Sequence, residues 1–158
     1  MNSTRRSVAT ELSFALNAAA NRMVRLHKPF LEPLGLTFSQ YLVTLELLND
    51  SPRSVSDLCD RLDMETGTLT PLLKRLEAAG VITRTRDASD ERRVLIDLTE
   101  PSRAMEDELR SVTDKIRTAC QLTPENLEEL HRTLEGLARP AISYFLPHTG
   151  LSLSLIHI

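Results

Sequence analysis

The sequence predicts a mainly α-helical chain that carries one small β-hairpin. Three observations predict it. Glycine numbers only 5 and aromatics make up 4% of the 158 residues, while Leu, Ala, Glu and Arg abound, a composition that favours helix. Apolar residues recur at i, i+3, i+4 and i+7 in several separate stretches, as they do along one face of a helix. Between Gly80 and Thr99 that period gives way to two β-branched runs, Val81-Ile82-Thr83 and Val94-Leu95-Ile96, joined by the charged segment RTRDASDERR.

The first element is a long helix from Val8 to about Glu32. Leu12, Ala15, Leu16, Ala19, Met23 and Leu26 repeat at helical spacing, and Ala18, Ala19 and Ala20 permit close helix packing. Pro29 and Pro33 end or bend it, and Gly35 marks the turn. Thr37-Phe38-Ser39-Gln40 has the form of a capping box, with Thr37 at the N-cap and Gln40 three residues on. The helix it opens runs to about Asn49, with Leu42, Leu45 and Leu48 expected inward, and Asp50-Ser51-Pro52 breaks it. Ser54-x-x-Asp57 starts a short third helix whose buried face is Val55, Leu58, Cys59 and Leu62.

A tight turn at Asp63 to Thr66 leads to the next helix. Leu69, Leu72, Leu73 and Leu76 form its apolar stripe, and Thr68, Thr70, Lys74 and Arg75 lie opposite. Pro71 belongs in a first helical turn, where its missing N–H has no partner to lose. The first regular turn is therefore placed near Thr68 to Pro71, with Thr66 to Thr70 only loosely helical. Gly80 stands where a left-handed C-cap is wanted. Two short helices, a tight turn between them and a basic-tipped hairpin behind are the layout of a winged helix-turn-helix, a DNA-binding module whose second helix enters the major groove.

After the hairpin, Thr99-Glu100-Pro101 reads as an N-cap with an early proline, and Ala104, Leu109, Val112 and Ile116 mark a helix to about Cys120. Thr123-Pro124-Glu125 repeats the start signal; Leu127, Leu130, Leu134 and Leu137 continue a last amphipathic helix until Pro140. With the first helix, these are expected to form a helical dimerisation layer (residues about 8–32 and 102–146) around the winged helix-turn-helix of about 37–99. Residues 1–146 would then be a single domain. The tail, 147–158, alternates Leu with Ser and is expected to be a disordered or non-native extension.

The net charge of −3 does not announce a nucleic-acid binder, but local potential decides binding. Lys74, Arg75, Arg84, Arg86, Arg92 and Arg93, set against Glu77, Asp87, Asp90 and Glu91, leave a balance of +2 between Thr66 and Arg93. No apolar run reaches the roughly 18 residues of a membrane span. MNSTRRSVATEL lacks the apolar core of a signal peptide, and Cys59 and Cys120 make no disulfide framework. A cytoplasmic protein is the expectation.

LTPLLKRLEAAG (69–80) and DERRVLIDLT (90–99) resemble the recognition helix and wing of the MarR family of transcriptional regulators. Residues 11–48 resemble the first two helices of that family's organic-hydroperoxide-sensing branch. The resemblance implies a homodimeric regulator, usually a repressor, on a pseudo-palindromic DNA operator. It puts Thr66, Thr68, Thr70, Pro71, Lys74 and Arg75 on the recognition helix. Threonine methyls and hydroxyls suit thymine methyls or phosphates, and Lys and Arg suit phosphates or guanine. Arg84 and Arg86 join the DNA-facing set from the hairpin. Arg92 or Arg93 falls where the family inserts an arginine into the minor groove, with Asp90 placed to brace it.

The sensor end departs from that branch. Its reactive cysteine falls at Ser13 here, and its two tyrosines fall at Asn17 and His27. Serine cannot pass through the sulfenic acid on which such sensing depends. Ser13, Asn17 and His27 either line a pocket for a small-molecule effector or are ordinary capped or solvated helix residues. Two other functions stand beside the effector-released repressor: a thiol-based redox-responsive regulator using Cys120, and a winged-helix protein–protein interaction module. Retention of Lys74, Arg75, Arg92 and Arg93 tells against the module. His27, His131, His148 and His157 show no metal-ligand spacing, so no metal or cofactor is expected. No phosphate loop or nucleophile elbow points to an enzyme.

Overall fold

Residues 11–138 are described by the structure, a computed structural model. In chain order they form α1 (Leu12–Leu31), a one-turn 3-10 helix (Glu32–Leu34), α2 (Phe38–Asn49), β1 (Arg53–Ser54), α3 (Val55–Leu62) and α4 (Thr66–Ala78). Then come β2 (Ile82–Arg86), β3 (Val94–Leu98), α5 (Glu100–Ala104), α6 (Glu106–Ala119) and α7 (Pro124–Ala138). The chain divides into two compact units between Ala119 and Cys120. The expected start of the first helix at Val8, the expected end of the last at Pro140 and the 147–158 tail lie outside the described residues.

The expected starts of α2 and α3 and the expected stop of α4 have the chemistry read from the sequence. The Thr37 hydroxyl accepts from the Gln40 N–H at 3.4 Å, while the Thr37 N–H donates to Gln40 Oε1 at 2.8 Å, a complete capping box. Ser54 Oγ accepts from the Asp57 N–H at 3.2 Å and opens α3. Gly80 follows α4 at φ 72°, a left-handed conformation open to glycine at little cost.

One core holds the winged unit together. Val43 and Leu47 of α2 and Leu58 of α3 meet all four α4 leucines and Ile82, Ile96 and Leu98 of the sheet. Each such side chain, fully buried, is worth roughly 1.5–3 kcal/mol. A smaller apolar layer, with Leu31, Tyr41, Leu109, Val112 and Ile116 buried, packs α1, α2 and α6. The Tyr41 hydroxyl donates to the Leu109 carbonyl at 3.3 Å and lies 2.7 Å from Thr113 Oγ1, which satisfies the one polar atom of that ring. Burial pushes the Tyr41 phenol up.

Helix α1 runs through Pro29 to Leu31, next to its expected end at Glu32. Four expectations are corrected. The inward face of α2 is Tyr41, Val43, Thr44 and Leu47, with Leu42, Leu45 and Leu48 only half-buried, because α2 packs on both α4 and α6 and not on one side alone. Helix α4 starts at Thr66, so Pro71 sits in its second turn and withholds a bond from the Gly67 carbonyl. The expected 100–120 helix is two helices broken at Met105, and Thr99, the N-cap residue of the first, makes no side-chain capping bond to it. Its hydroxyl donates instead to the Gly80 carbonyl at 2.8 Å, tying the end of β3 to the end of α4. The hairpin gains a third strand: β1 pairs antiparallel with β3, Arg53 opposite Ile96 and Ser54 opposite Leu95, giving the order β1-β3-β2.

A candidate nucleic-acid interface

Helix α4 turns its four leucines wholly into the core, which forces its other residues outward. Thr66, Thr68, Pro71, Lys74 and Arg75 are exposed and Thr70 is half-buried. Asp63 ends α3 in the left-handed conformation at φ 50°, and its N–H donates to the Cys59 carbonyl, which sets the tight turn into α4. Cys59 Sγ lies 3.6 Å from Thr66 Oγ1, so the thiol faces the start of α4.

The α3 side is clamped by charge. Arg53 is buried on β1, with its guanidinium 2.5 Å from Asp57, 2.9 Å from Asp50 and 3.4 Å from Glu46. Arg61 of α3 reaches the same Glu46 and Asp57 at 3.3 and 3.4 Å. The Arg53 hydrogen bond holds the Asp57 carboxyl below the usual carboxylate range. Sequence reading missed this clamp. A two-residue strand has no periodicity, and its pairing partner lies about forty residues on.

The wing comprises β2, β3 and the loop 87–93. Register pairs Arg86 with Val94 and Arg84 with Ile96. Arg86 is exposed and donates to the Glu91 carbonyl at 3.2 Å; Arg84 is half-buried and lies 3.8 Å from Glu77 of α4. Arg92 and Arg93 are exposed at the tip. Asp90 does not brace a guanidinium there: its carboxylate accepts from the Arg92 backbone N–H at 3.1 Å and its carbonyl from the Arg93 N–H at 2.9 Å. The acid facing a wing guanidinium is Asp87, 3.8 Å from Arg93. Asp87 also accepts from the Ser89 N–H and hydroxyl, at 2.9 and 2.6 Å, which holds its carboxyl below the usual range.

Ser13, Asn17 and His27 are not brought together within one chain. Ser13 and Asn17 are exposed on the first half of α1, whereas His27 is buried. At 1.5 Å rise per residue Ser13 and His27 stand about 21 Å apart along the helix. His27 lies beside Phe38 and Tyr41, with ring centroids at 4.8 and 5.6 Å, and its Nδ1 is 2.8 Å from the Met23 carbonyl. These rings line a groove of about 240 Å³ together with Leu42, Leu45 and Ile116. A second groove of about 400 Å³, lined by Leu45, Asn49, Arg110, Thr113 and Asp114, begins where the first ends, since both share Leu45 and Thr113.

Among the described residues no group of three or more His, Cys, Asp or Glu is placed to hold a metal, and no helix is long and apolar enough to cross a membrane. A helix-turn-helix with a basic outer face, backed by a three-stranded wing, defines a winged helix-turn-helix DNA-binding protein. Comparison with known proteins gives the family. Residues 25–109 match the model of the transcriptional regulator SarA/Rot family. The chain is 36% identical over 127 residues to the organic hydroperoxide resistance transcriptional regulator of Bacillus subtilis, covering 80% of this chain and 86% of that one. It is 31% identical to reduced AbfR bound to DNA, AbfR being a protein of Staphylococcus epidermidis, with a TM-score of 0.67 over 84% of this chain and 96% of that one. The repressor CouR, solved on a 23-mer DNA duplex, is 26% identical with a TM-score of 0.73, covering 84% of this chain and 95% of that one. The chain belongs to the MarR family of winged-helix, sequence-specific DNA-binding regulators, which are non-catalytic.

Proposed function

We propose that this protein is a homodimeric repressor whose α4 and wing grip a pseudo-palindromic operator, and that a small, mostly apolar effector releases it. The observation that carries the DNA half is the outer face of α4, where Thr66, Thr68, Lys74 and Arg75 stand exposed behind a fully buried leucine stripe and next to a wing ending in Arg92 and Arg93. Two such heads, one helical turn apart, fit successive major grooves. Relatives solved on DNA support the same use of the fold.

Dimerisation is supported by apolar surface left open. Leu12, Phe14, Leu16 and Val24 of α1 are all exposed, as are the four α7 leucines, and single chains rarely leave so much helix face uncovered. The effector reading rests on the groove beside His27. Leu45 and Asn49 of α2 face the grooves, and Glu46 between them faces Arg53 and Arg61. An occupant that shifts α2 therefore bears on the clamp that seats α3 and, through it, α4. Ser13 has no sulfur, so oxidant sensing at that position has no chemistry to run on.

The DNA test is salt dependence. Binding of a selected duplex should weaken steeply as salt rises, and Arg92→Ala or Arg93→Ala should weaken it further while sedimentation still reports a dimer. Wild-type affinity in both variants would overturn the wing's role. For the effector, Leu45→Trp should fill the groove and leave a duplex bound that small aromatic and aliphatic compounds otherwise release.

A further inference from the structure

Gly67 is an exposed glycine inside α4, at a place where the fold makes no use of it. A Cβ built there meets no heavy atom within 4 Å, so alanine would fit and would strengthen the helix. Pro71, four residues on, is also exposed and weakens the same turn by withholding its bond from the Gly67 carbonyl. At about 100° per residue, Gly67, Pro71 and Lys74 lie on the line directly opposite the midpoint of Leu69, Leu72, Leu73 and Leu76. Two residues that weaken a helix thus stand exposed on its outermost line. Their use must lie with what the helix meets.

Glycine lets a backbone come close to a ligand, and a proline ring is an apolar surface with no donor or acceptor. Neither can read a base by hydrogen bonding. The apolar feature of the major groove is the thymine 5-methyl group. We infer that Gly67 and Pro71 form the seat of α4 on the groove floor: Gly67 lets the backbone approach the base edges, and the Pro71 ring packs on a thymine methyl. Thr68 and Thr70 flank that seat, and Lys74 and Arg75 lie one turn further on, within reach of phosphates or guanine. This inference rests on α4 being the helix that reads DNA.

The full chain is tested on a duplex that the wild-type protein selects from random-sequence DNA, with affinity read by fluorescence anisotropy. Gly67→Ala should melt at the same or a higher temperature and yet bind the duplex about tenfold more weakly, on the scale of a lost base-pair contact. Thymines are then replaced one at a time by deoxyuracil. At least one position per half-site should bind about fourfold more weakly, the worth of one buried methyl. That loss should vanish in Pro71→Ala. Wild-type affinity in Gly67→Ala, or a duplex indifferent to every deoxyuracil, overturns the inference. Lys74→Ala tells the two failures apart. If it weakens binding while Gly67→Ala does not, only the seat is wrong; if it too binds as wild type, α4 is not the reading helix and both fall.

Discussion

Helices α4 and α7 carry leucine stripes of the same kind and cover them to opposite degrees. Leu69, Leu72, Leu73 and Leu76 are 0–4% exposed, whereas Leu127, Leu130, Leu134 and Leu137 are 38–44% exposed. The pattern in the sequence is the same, since both repeat at helical spacing. What differs is the partner. The α4 stripe faces α2, α3 and the sheet, all supplied by the same chain. The α7 stripe has the composition of an interior face and the exposure of a surface, and the first half of α1 repeats that mismatch at Leu12, Phe14 and Leu16. Periodicity reports that a face must be buried. It does not report whether the chain or a second copy buries it.

The largest expected effect tests the internal stripe. Leu73→Ala, at 1% exposure, should cost about 2–5 kcal/mol in urea unfolding at every protein concentration, because the cavity forms inside one chain. Leu134→Ala should cost little at low protein concentration and more at high, where the assembled state is populated. Equal costs at all concentrations for both would break the contrast between the stripes. A second variant presses on assembly directly. Leu130→Glu combined with Leu134→Glu should turn a dimer into a folded monomer by sedimentation equilibrium, with the circular dichroism of α-helix retained. A dimer that persists would place the contact elsewhere, and Leu16→Glu on α1 then becomes the variant to measure.

The same contrast marks how far the sequence could be read. The α4 stripe, the capping box at Thr37 and the left-handed Gly80 were legible because each is a local event, decided within a few residues. The inward face of α2 was misjudged because several neighbours pack on it, α1, α3, α4, α6 and β3. Strand β1 was invisible, since Arg53 and Ser54 are a strand only by virtue of β3. On α4 and the wing, Thr66, Thr68, Lys74, Arg75, Arg92 and Arg93 could be named from sequence as outward residues and are exposed. Asp87 could not be chosen over Asp90, because Asp90 is three residues from Arg93 and Asp87 six, and only the hairpin's turn decides which carboxylate meets a guanidinium. His27 was grouped with Ser13 and Asn17 by resemblance, and helix rise alone separates them within one chain.

A smaller effect locates the edge of what the chain closes by itself. Tyr41 links α2 to α6 through Thr113 and the Leu109 carbonyl, so Tyr41→Phe should lose about 1 kcal/mol, the net worth of an intramolecular hydrogen bond. The loss should not depend on protein concentration. A concentration-dependent loss would mean that this layer is completed only by a second copy.

The smallest effect is electrostatic and concerns the clamp between α2, β1 and α3. Arg53 donates to Asp57 at 2.5 Å, and this holds the folded-state Asp57 carboxyl below its unfolded value. A depressed carboxylate adds stability that is present above the unfolded pKa, about 3.9, and is lost as pH falls through the folded one. Asp57→Asn removes the charge while keeping the backbone N–H that Ser54 caps. The wild type should therefore be the more stable of the two near neutral pH, and the gap should close as urea unfolding is repeated from about pH 5 down to about pH 2. Because Asp57 is partly exposed, the gap should also shrink in high salt. A gap that stays constant with pH would mean that Arg53 is held by Asp50 and Glu46 and that Asp57 contributes through its backbone alone. Should the gap close as expected, the clamp joins the α4 stripe among the parts the chain completes without a partner, and DNA affinity in Asp57→Asn then reports how much of the reading head's placement depends on it.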